Sequence, residues 1–337
     1  MIASQKPSFE GGLGRVNDSR FSVAIRTTGL LVLVVAGLLW SQASPPVRTL
    51  LASGGALGGL LALTGSSKRA ASYWLLTLLA VILFAPFAWM VLVSLHPPKT
   101  PIPPLAEIIP QKPAWDNVKQ VLFSPTLPVS RFFFNTVVVT ISVVVLQLLI
   151  TSMAAYSLSR LKWRGREVVF WLFIGSMMFA GPVTQIPVYL MLRNLGWLDT
   201  YAALIVPGIS SAFSVFLLRQ FYLQIPFELD EAARIDGASD WKIYSRVILP
   251  LGKPALATAG AFTFFAVWTD FFGPMIYTNS TEMRTLEVGL SIFKNSYGTT
   301  NWPLQMTAAL IVLAPLLIVF LFVQRFFVKG LMLGSIK

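Results

Sequence analysis

The stretch FFFNTVVVTISVVVLQLLITSMAAYS, residues 132–157, decides the fold class, because it runs for 26 residues without a charged side chain. Crossing the roughly 30 Å hydrocarbon core of a bilayer takes about 20 helical residues. Backbone polar groups inside lipid must be hydrogen-bonded within their own segment, and an α-helix achieves this. The stretch therefore predicts a transmembrane helix, and with it a membrane protein.

Other apolar runs surround this stretch and fall into two groups. The strong ones lie at 72–95, 168–192, 202–222, 255–277 and 305–327. Two weaker runs lie upstream, at 27–41 and 47–65, with Pro45-Pro46 between them. We expect an all-α polytopic membrane bundle, with a six-span core and two extra N-terminal transmembrane helices.

Domain boundaries follow from these runs. Residues 1–26 are expected to form an N-terminal tail, 27–70 the two extra helices and 71–337 the six-span domain. A cleaved signal peptide is the alternative for the run at 27–41, since Arg20 and Arg26 precede it. The stretch ahead of this apolar run is long for a signal peptide, however, and more spans follow. A retained helix is therefore favoured.

The overall composition agrees with a membrane protein and excludes several function classes. Charged residues make up 12% of the chain, against about 25% in soluble domains. The net charge of +12 does not indicate nucleic acid binding, because the basic residues flank apolar runs instead of forming one patch. With no cysteine and one histidine, His96 between an apolar run and Pro97-Pro98, we expect neither catalytic residues nor a metal site.

The positions of the basic residues predict the orientation. They cluster in the loop LSRLKWRGRE at 158–167 and at the ends of the bundle, as Arg160, Lys162, Arg164, Arg166, Lys68, Arg69, Arg325, Lys329 and Lys337. Loops rich in Lys and Arg stay in the cytoplasm. Both termini and segment 228–255 are then cytoplasmic, and 96–131, 193–201 and 278–304 are outside. The outer segment 97–113, with seven prolines, is either a stiff connector or a cap that meets a partner.

The segment ELDEAARIDGASDWKIYSRVILPLGKPA, residues 228–255, is the polar exception between two apolar runs. Pro226 can open a helix, and Gly237 can end it in the left-handed conformation. Ser239 can then cap a second helix. On that helix Trp241, Tyr244 and Val247-Ile248 are spaced as a single apolar stripe. A helix–turn–helix results, either an interfacial connector or an element that docks into another protein.

The same segment carries a resemblance. Glu231-Ala232-Ala233, Asp236-Gly237-Ala238 and Ile248-Leu249-Pro250-Leu251 match in order and spacing the EAA loop of ABC importer permeases. The resemblance extends from about residue 72 to the C-terminus. IPVYLMLRNLGWLDTYAALIVP (186–207), WTDFFGPMIYTN (268–279), TLEVGL (285–290) and FVKGLMLGSIK (327–337) are similar to the MalG-like permease subunits of carbohydrate importers, in the binding-protein-dependent inner-membrane family.

The resemblance implies a sugar permease without an enzymatic site of its own. It implies a coupling loop at 223–253 that seats in an ATP-hydrolysing subunit, with Glu231 paired to a basic residue there. The coupling residues would be Glu231, Ala232, Ala233, Asp236, Gly237, Ala238, Trp241, Tyr244 and Pro250. The implied partners are a second homologous permease, two ATP-binding subunits that hold ATP and Mg, an extracytoplasmic sugar-binding protein and membrane lipid. The implied location is the bacterial cytoplasmic (inner) membrane.

An absent motif agrees with this reading. The chain has no G-x-x-x-x-G-K-[ST] loop, the nearest pieces being GSSK at 65–68 and GK at 252–253. Without that spacing the backbone cannot cradle phosphates by this route. The residues ahead of 68 are extra to the usual six-span permease, and Thr269 stands where the family more often has asparagine, so the resemblance assigns no role to either.

Polar residues inside the apolar runs are candidates for the solute path, because such groups are costly in lipid. They are Asn135, Gln147, Gln185, Ser210, Ser211, Ser214, Thr269 and Asp270. Hydrogen bonding between helices is the alternative for most of them. Our expected path residues are Gln185, Tyr189, Ser214, Trp268 and Asp270, with the partner permease supplying most sugar contacts.

Two other functions remain open at this point. An ABC permease for another solute, such as an amino acid, polyamine or phosphate, shares the EAA loop; the segments at 186–207 and 268–290 favour sugar. An ion-driven secondary transporter would show inverted repeats and paired broken helices with buried ionisable groups. The chain shows no such repeat and one clear acid within a run, Asp270, which disfavours that class.

Overall fold

The computed structural model describes residues 68–104, 107–123, 128–179, 181–296 and 301–333. The predicted tail at 1–26 and the predicted helices at 27–41 and 47–65 lie outside the described residues. Every regular element within the described ranges is helical. The all-α prediction is therefore confirmed for this part of the chain.

The helices are numbered here in chain order. They are α1 Lys68–Ser94, α2 Asp116–Leu122, α3 Val129–Arg160, α4 Arg166–Ser176, α5 Gly181–Asn194, α6 Tyr201–Ile205, α7 Ala212–Gln224, α8 Glu228–Ile235, α9 Asp240–Ile243, α10 Leu249–Leu251, α11 Lys253–Trp268, α12 Phe272–Tyr277, α13 Leu286–Ser296 and α14 Trp302–Leu333. Short 3-10 turns at Val206–Ile209 and Thr281–Met283, and a π-turn at Tyr244–Ile248, complete the elements of the described residues.

The chain divides into two compact units, which are described separately. One comprises residues 1–93 and 102–112, and its described helix is α1 with Pro86 inside it. The other comprises 94–101 and 113–337 and holds every other helix. The functional features below all lie in this second unit.

Helix α3 is the axis of the second unit. It runs unbroken for 32 residues, with no glycine or proline, which makes it about 48 Å long at 1.5 Å per residue. Near its start Phe132 packs with Trp268 and Leu304, and in its middle Val139 and Val143 pack with other helices. Near its end it contributes to an apolar cluster formed mainly with α7, the π-turn and α11. One rigid helix thus contacts both ends of the unit.

Candidate membrane spans can be counted within the described residues. Four stretches are long and apolar enough to cross a bilayer: Leu76–Ser94, Val129–Arg160, Tyr201–Gln224 and Trp302–Gln324. A fifth is possible if the pair Asp240–Leu251 and Lys253–Trp268, bent by 75°, counts as one span. These counts cover the described residues, and the six-span prediction is not confirmed by them.

Two of the predicted spans are each divided between two helices. The run at 168–192 is split between α4 and α5, and α5 carries Gln185 and Arg193, which lower its hydropathy. The run at 255–277 is interrupted where α11 ends at Trp268, and a short α12 follows after Asp270. A polar residue, Asp270, coincides with the second break, whereas Gln185 lies inside α5.

Candidate functional site

Helix α8 is defined by the residues at its two ends. Three acids, Glu228, Asp230 and Glu231, occupy its first turn, where the helix dipole favours negative charge. At the other end Gly237 has φ +75°, its N–H donates to the Arg234 carbonyl at 3.0 Å, and the Ala238 N–H donates to the Ala233 carbonyl at 2.9 Å. This is a Schellman motif. The predicted glycine cap is confirmed.

Helix α9 follows after a single turn and is capped as predicted. The Lys242 N–H donates to the Ser239 side-chain oxygen at 3.4 Å. Arg234 of α8 donates to the Asp240 carboxylate of α9 at 2.6 Å, with both side chains about half exposed. Residues 228–243 therefore form the expected helix–turn–helix, which we call the α8–α9 unit.

The predicted apolar stripe on the second helix is mostly buried, and only its first member remains largely exposed. The Trp241 and Tyr244 rings lie 5.4 Å apart, and Tyr244, Val247 and Ile248 pack in one apolar cluster. Trp241 is 64% exposed, whereas Tyr244 is 4% exposed and Ile248 is fully buried. The Tyr244 hydroxyl lies 2.7 Å from the Ser152 hydroxyl of α3. Tyr244 therefore fastens the loop to the bundle instead of facing a partner.

The exposed surface of the α8–α9 unit carries large apolar side chains, which is unusual for the outer side of a helix that packs on a core. Ile235 is 87% exposed and Leu229 is also exposed, while Asp230 between them in sequence is buried. Of the nine predicted coupling residues, those at the surface are Glu231, Ala232, Asp236, Gly237, Trp241 and Pro250, with Ala233 and Ala238 half-buried. Apolar side chains presented outward beside acids form the kind of patch that marks a protein contact.

The buried face of α8 is held by an ion pair that the sequence did not reveal. Arg160 Nη1 lies 3.4 Å from Asp230 Oδ2, with the two side chains 1% and 6% exposed. Burial raises the pKa of Asp230, and the Arg160 guanidinium opposes that rise. The sequence places Arg160 in the basic loop at 158–167 and gives no local signal for a buried partner 70 residues away.

Arg160 has further partners at the end of α7. Its Nη2 donates to the Tyr222 carbonyl at 2.5 Å and to the Ile225 carbonyl at 2.6 Å. The ring of Phe227 lies 4.6 Å from the guanidinium carbon. One α3 side chain therefore contacts the end of α7, the connection that follows it, and α8.

A second contact from α3 holds α9. The Tyr156 hydroxyl donates to the Asp240 carbonyl at 3.1 Å. Together with Ser152 and Arg160, this places three polar side chains of the last turns of α3 against the α8–α9 unit and its π-turn. The α8–α9 unit is thus fixed to a spanning helix at several points.

A separate cavity of about 190 Å³ lies toward the other half of α3. It is lined by polar side chains, Thr136, Thr140, Gln185, Asp270, Tyr277 and Thr285, and by apolar ones from α3, α6 and α11. The hydroxyls of Thr140 and Thr285 are buried without a partner among the described residues. Two of the five predicted path residues, Gln185 and Asp270, are thereby brought together.

Both of these path residues are already partly held. The Tyr277 hydroxyl donates to Gln185 Oε1 at 2.5 Å. Asp270 Oδ1 accepts from the Gly273 N–H in the first turn of α12 at 3.2 Å. Each keeps polar atoms that can accept from a solute hydroxyl, since a carboxylate accepts several hydrogen bonds.

The other predicted path residues do not line the cavity. Ser214 accepts from Gln147 Nε2 at 2.9 Å, and Gln147 also donates to Thr263 at 2.6 Å. The Trp268 indole donates to the Val312 carbonyl at 3.0 Å, and Tyr189 packs in an apolar cluster with Leu192. Hydrogen bonds and packing between helices account for all three.

The far end of α3 is also tied to a loop, but by neutral groups. Asn135 Nδ2 donates to the carbonyls of Glu282 and Arg284 at 2.7 and 2.9 Å. The Leu286 N–H donates to the Thr136 hydroxyl at 2.8 Å. Asn135 was considered as a path residue and is instead a support of the 278–286 loop.

Comparison with known proteins gives this geometry a context. Residues 133–332 match the model of a family described as "binding-protein-dependent transport system inner membrane component". The trehalose/maltose transport system permease protein MalG of Thermococcus litoralis is 34% identical over 265 residues, covering 77% of this chain and 94% of that protein. The sn-glycerol-3-phosphate transport system permease protein UgpE of Brucella abortus is 32% identical over 235 residues, covering 68% and 83%.

A solved structure agrees with the sequence relatives. A bacterial ABC transporter involved in the import of the acidic polysaccharide alginate aligns with a TM-score of 0.66 at 27% identity, over 76% of this chain and 95% of that one. The family model covers well over half of the chain, and the relatives match over most of their own length. The chain therefore belongs to the family of binding-protein-dependent transport system inner membrane components.

Proposed function

We propose that this chain is the transmembrane permease subunit of an ATP-driven saccharide importer, forms half of its translocation path, and receives energy through the α8–α9 unit. The observation that carries the proposal is the outward patch of Ile235 and Trp241 beside Glu231, on an element fastened to spanning helix α3. Exposing such an apolar patch to water is unfavourable, whereas a groove on a partner subunit would bury it.

The partners follow from this role. Two ATP-binding subunits would bind the α8–α9 unit and hold ATP and Mg, a second permease would complete the path, and an external binding protein would deliver the solute. The α8–α9 unit and both termini would then be cytoplasmic, in a bacterial inner membrane. The positive loop that follows Arg160 supports this orientation.

Energy transfer in such a complex needs a two-state bundle. When the ATP-binding subunits close and open, they would displace the α8–α9 unit, and the attached spanning helices would switch between inward-facing and outward-facing arrangements. Packed helices switch between discrete arrangements more readily than they deform continuously. Hydrolysis would occur on the partner subunits, and this chain would convert their movement into access to the path.

The coupling role is tested by substituting the exposed face of the unit. We expect Glu231→Gln and Trp241→Ala to abolish or strongly reduce ATP-dependent uptake while the permease still inserts and is recovered from the membrane. Glu167→Gln is the matched control, since Glu167 pairs with Arg219 on α4 and α7 and does not touch the unit. Normal uptake in both Glu231→Gln and Trp241→Ala would contradict the proposal.

The cavity is our proposed point of solute contact within this subunit. At about 190 Å³ it is smaller than the roughly 300–1,000 Å³ of pockets that enclose drug-sized ligands, so it suits one small hydroxylated unit of a longer solute. Gln185→Leu is expected to raise the KM of uptake without changing the ATPase rate. An unchanged KM in Gln185→Leu and in Asp270→Asn would remove the cavity from the path.

Import of a different solute class is the second candidate, because the UgpE relative is named for a phosphorylated polyol rather than a saccharide. A ligand screen on the binding protein that co-purifies with the complex separates the two. Saccharide binding supports the first candidate, and selective binding of a phosphate ester or an amino acid supports the second.

A further inference from the structure

Arg160 connects the α8–α9 unit to two spanning helices at a single point. It is the last residue of α3, it donates to the carbonyls of Tyr222 and Ile225 at the end of α7, and it pairs with Asp230 on α8. The last carbonyls of a helix have no partner within the helix. Through Nη2, Arg160 donates to both of these acceptors, and its Nη1 donates to Asp230.

Asp230 is the counterpart of this arrangement on α8. Among the described residues, it makes the only side-chain hydrogen bond from α8 to a spanning helix, since Arg234 bonds instead to Asp240 within the unit. Neighbouring side chains on α8 face outward, including Leu229 and Glu231. Any displacement of α8 against α3 must therefore stretch or break the Arg160–Asp230 pair.

The Arg160–Asp230 pair costs desolvation free energy, which argues that it does more than hold α8 in place. Two charges withdrawn from water lose hydration that an apolar contact would not, and apolar replacements of such pairs often keep or raise stability. Its hydrogen bonding is also incomplete: Arg160 Nε and Asp230 Oδ1 are buried without partners among the described residues. An ordinary apolar contact would hold α8 in place with no such cost.

We propose that Arg160 and Asp230 form a buried latch that makes α8 move together with α3 and α7, so that Arg160 is a positioning residue for energy coupling. The inference rests on the proposed function and names the contact through which the α8–α9 unit acts on the bundle. A directional, charged link resists sliding, whereas apolar contacts between helices permit small shear movements.

The pair of Arg219 with Glu167 offers a control for removing the carboxylate partner of an arginine. Arg219 donates to both carboxylate oxygens of Glu167 at 3.0 and 3.1 Å and to the Leu158 carbonyl at 3.2 Å. The ring of Phe170 lies 3.8 Å from its guanidinium carbon. This pair joins α4 to α7 and leaves the α8–α9 unit untouched. Glu167→Gln therefore removes the carboxylate partner of another arginine, in a pair whose acid is 52% exposed, without affecting the proposed latch.

The test uses the complete complex in proteoliposomes with its binding protein and saccharide. It measures solute imported per ATP hydrolysed for wild type, Asp230→Asn, the double variant Arg160→Met/Asp230→Leu, and Glu167→Gln. We expect the ratio to fall about tenfold in the first two variants, within the usual range of coupling effects, while ATP hydrolysis continues. The ratio in Glu167→Gln should stay within about twofold of wild type on the same scale.

The double variant separates a latch from a merely structural contact. It restores a buried apolar contact, so a structural role predicts recovery of both assembly and coupling, whereas a latch predicts assembly without coupling. Wild-type coupling in Asp230→Asn or in the double variant would overturn the proposal. So would failure of both to assemble, because the pair would then be a requirement of the fold. A wild-type complex without ATP-dependent uptake would instead overturn the proposed function.

Discussion

The two ends of α3 hold their loops by different chemistry. At one end Arg160 and Asp230 form a buried ion pair with α8. At the other end Asn135 and Thr136 bond to the backbone of the 282–286 segment through neutral groups. Amide and hydroxyl bonds to backbone fix the course of a loop at low desolvation cost. The outward patch of the α8–α9 unit lies at the charged end of α3. The contact with the higher desolvation cost is therefore at the end where a partner subunit would displace the bundle.

The comparison suggests a division of roles along one helix. The Asn135 end positions a loop and should respond to mutation mainly in stability. The Arg160 end joins a moving element to the bundle and should respond in both stability and coupling. Because α3 has no glycine or proline between these ends, a shift at one end can reach the other without a flexible joint. The following substitutions test this division, from the largest expected effect to the smallest.

Arg160→Ala is expected to have the largest effect. It leaves the Asp230 carboxylate buried without its cation and the carbonyls of Tyr222 and Ile225 without their donor. Removing one partner of a buried pair costs about 3–5 kcal/mol. The thermal unfolding midpoint of the purified permease should fall sharply, and uptake should be lost. An unchanged midpoint would mean that the pair is solvated and that the two ends of α3 do not differ as described.

Asn135→Leu should be destabilising but should leave coupling intact. It removes the donor to two carbonyls and the acceptor of the Tyr201 hydroxyl, which lies 2.7 Å from Asn135 Oδ1. Leaving such groups unpaired costs about 1–3 kcal/mol. The measurement pairs the thermal midpoint with solute imported per ATP. A loss of coupling as large as that of Asp230→Asn would erase the distinction between the two ends.

Gly237→Ala should strain the turn between α8 and α9. Its φ of +75° lies in the left-handed region, which costs a residue with a side chain about 1–2 kcal/mol. No atom lies near the position of the added methyl group, so the effect is conformational rather than a clash. We expect reduced uptake with normal insertion, and Gly181→Ala, which has no positive φ and open space around it, serves as the control. Equal uptake in the two variants would show that the turn tolerates the strain.

Ser239→Ala is expected to have the smallest effect. The cap hydrogen bond is long, at 3.4 Å, and exposed, and losing a helix cap costs about 0.5–2 kcal/mol. We expect the free-energy cost of Ser239→Ala to lie at the low end of this range and to appear as a small loss of protease resistance at the α8–α9 unit. A loss of uptake comparable to that of Glu231→Gln would mean that Ser239 itself contacts the partner subunit.

Local signals in the sequence predicted the turn chemistry well. Gly237 and Ser239 fixed the end of α8 and the start of α9, because left-handed backbone and N-terminal capping favour a few residue types. The burial of the stripe was predicted less well: Trp241 is exposed, whereas Tyr244 and Ile248 are buried. Helical spacing shows which residues share a side of a helix, but it does not show what covers that side. The ion pair of Arg160 with Asp230 joins residues far apart in sequence, and no local rule reports such a partner.

The span count and the path illustrate the same limit. Apolar length located the long helices correctly, but it did not show that the run at 168–192 divides between α4 and α5. Residue type singled out Gln185 and Asp270, which the fold brings to one cavity, together with Ser214 and Trp268, which it uses for bonds between helices. A polar residue within an apolar run indicates a free-energy cost, whereas tertiary packing decides which interaction offsets that cost.

The most direct test of the central claim asks what covers the outward patch of the α8–α9 unit. The chain has no cysteine, so Ile235→Cys supplies a unique attachment point for a photo-crosslinker on a side chain that is 87% exposed. Crosslinking in native membranes and mass spectrometry identify the neighbour. We expect a nucleotide-binding subunit, crosslinked in a manner that ATP changes. Crosslinks to lipid alone, or to no nucleotide-binding protein, would contradict the account.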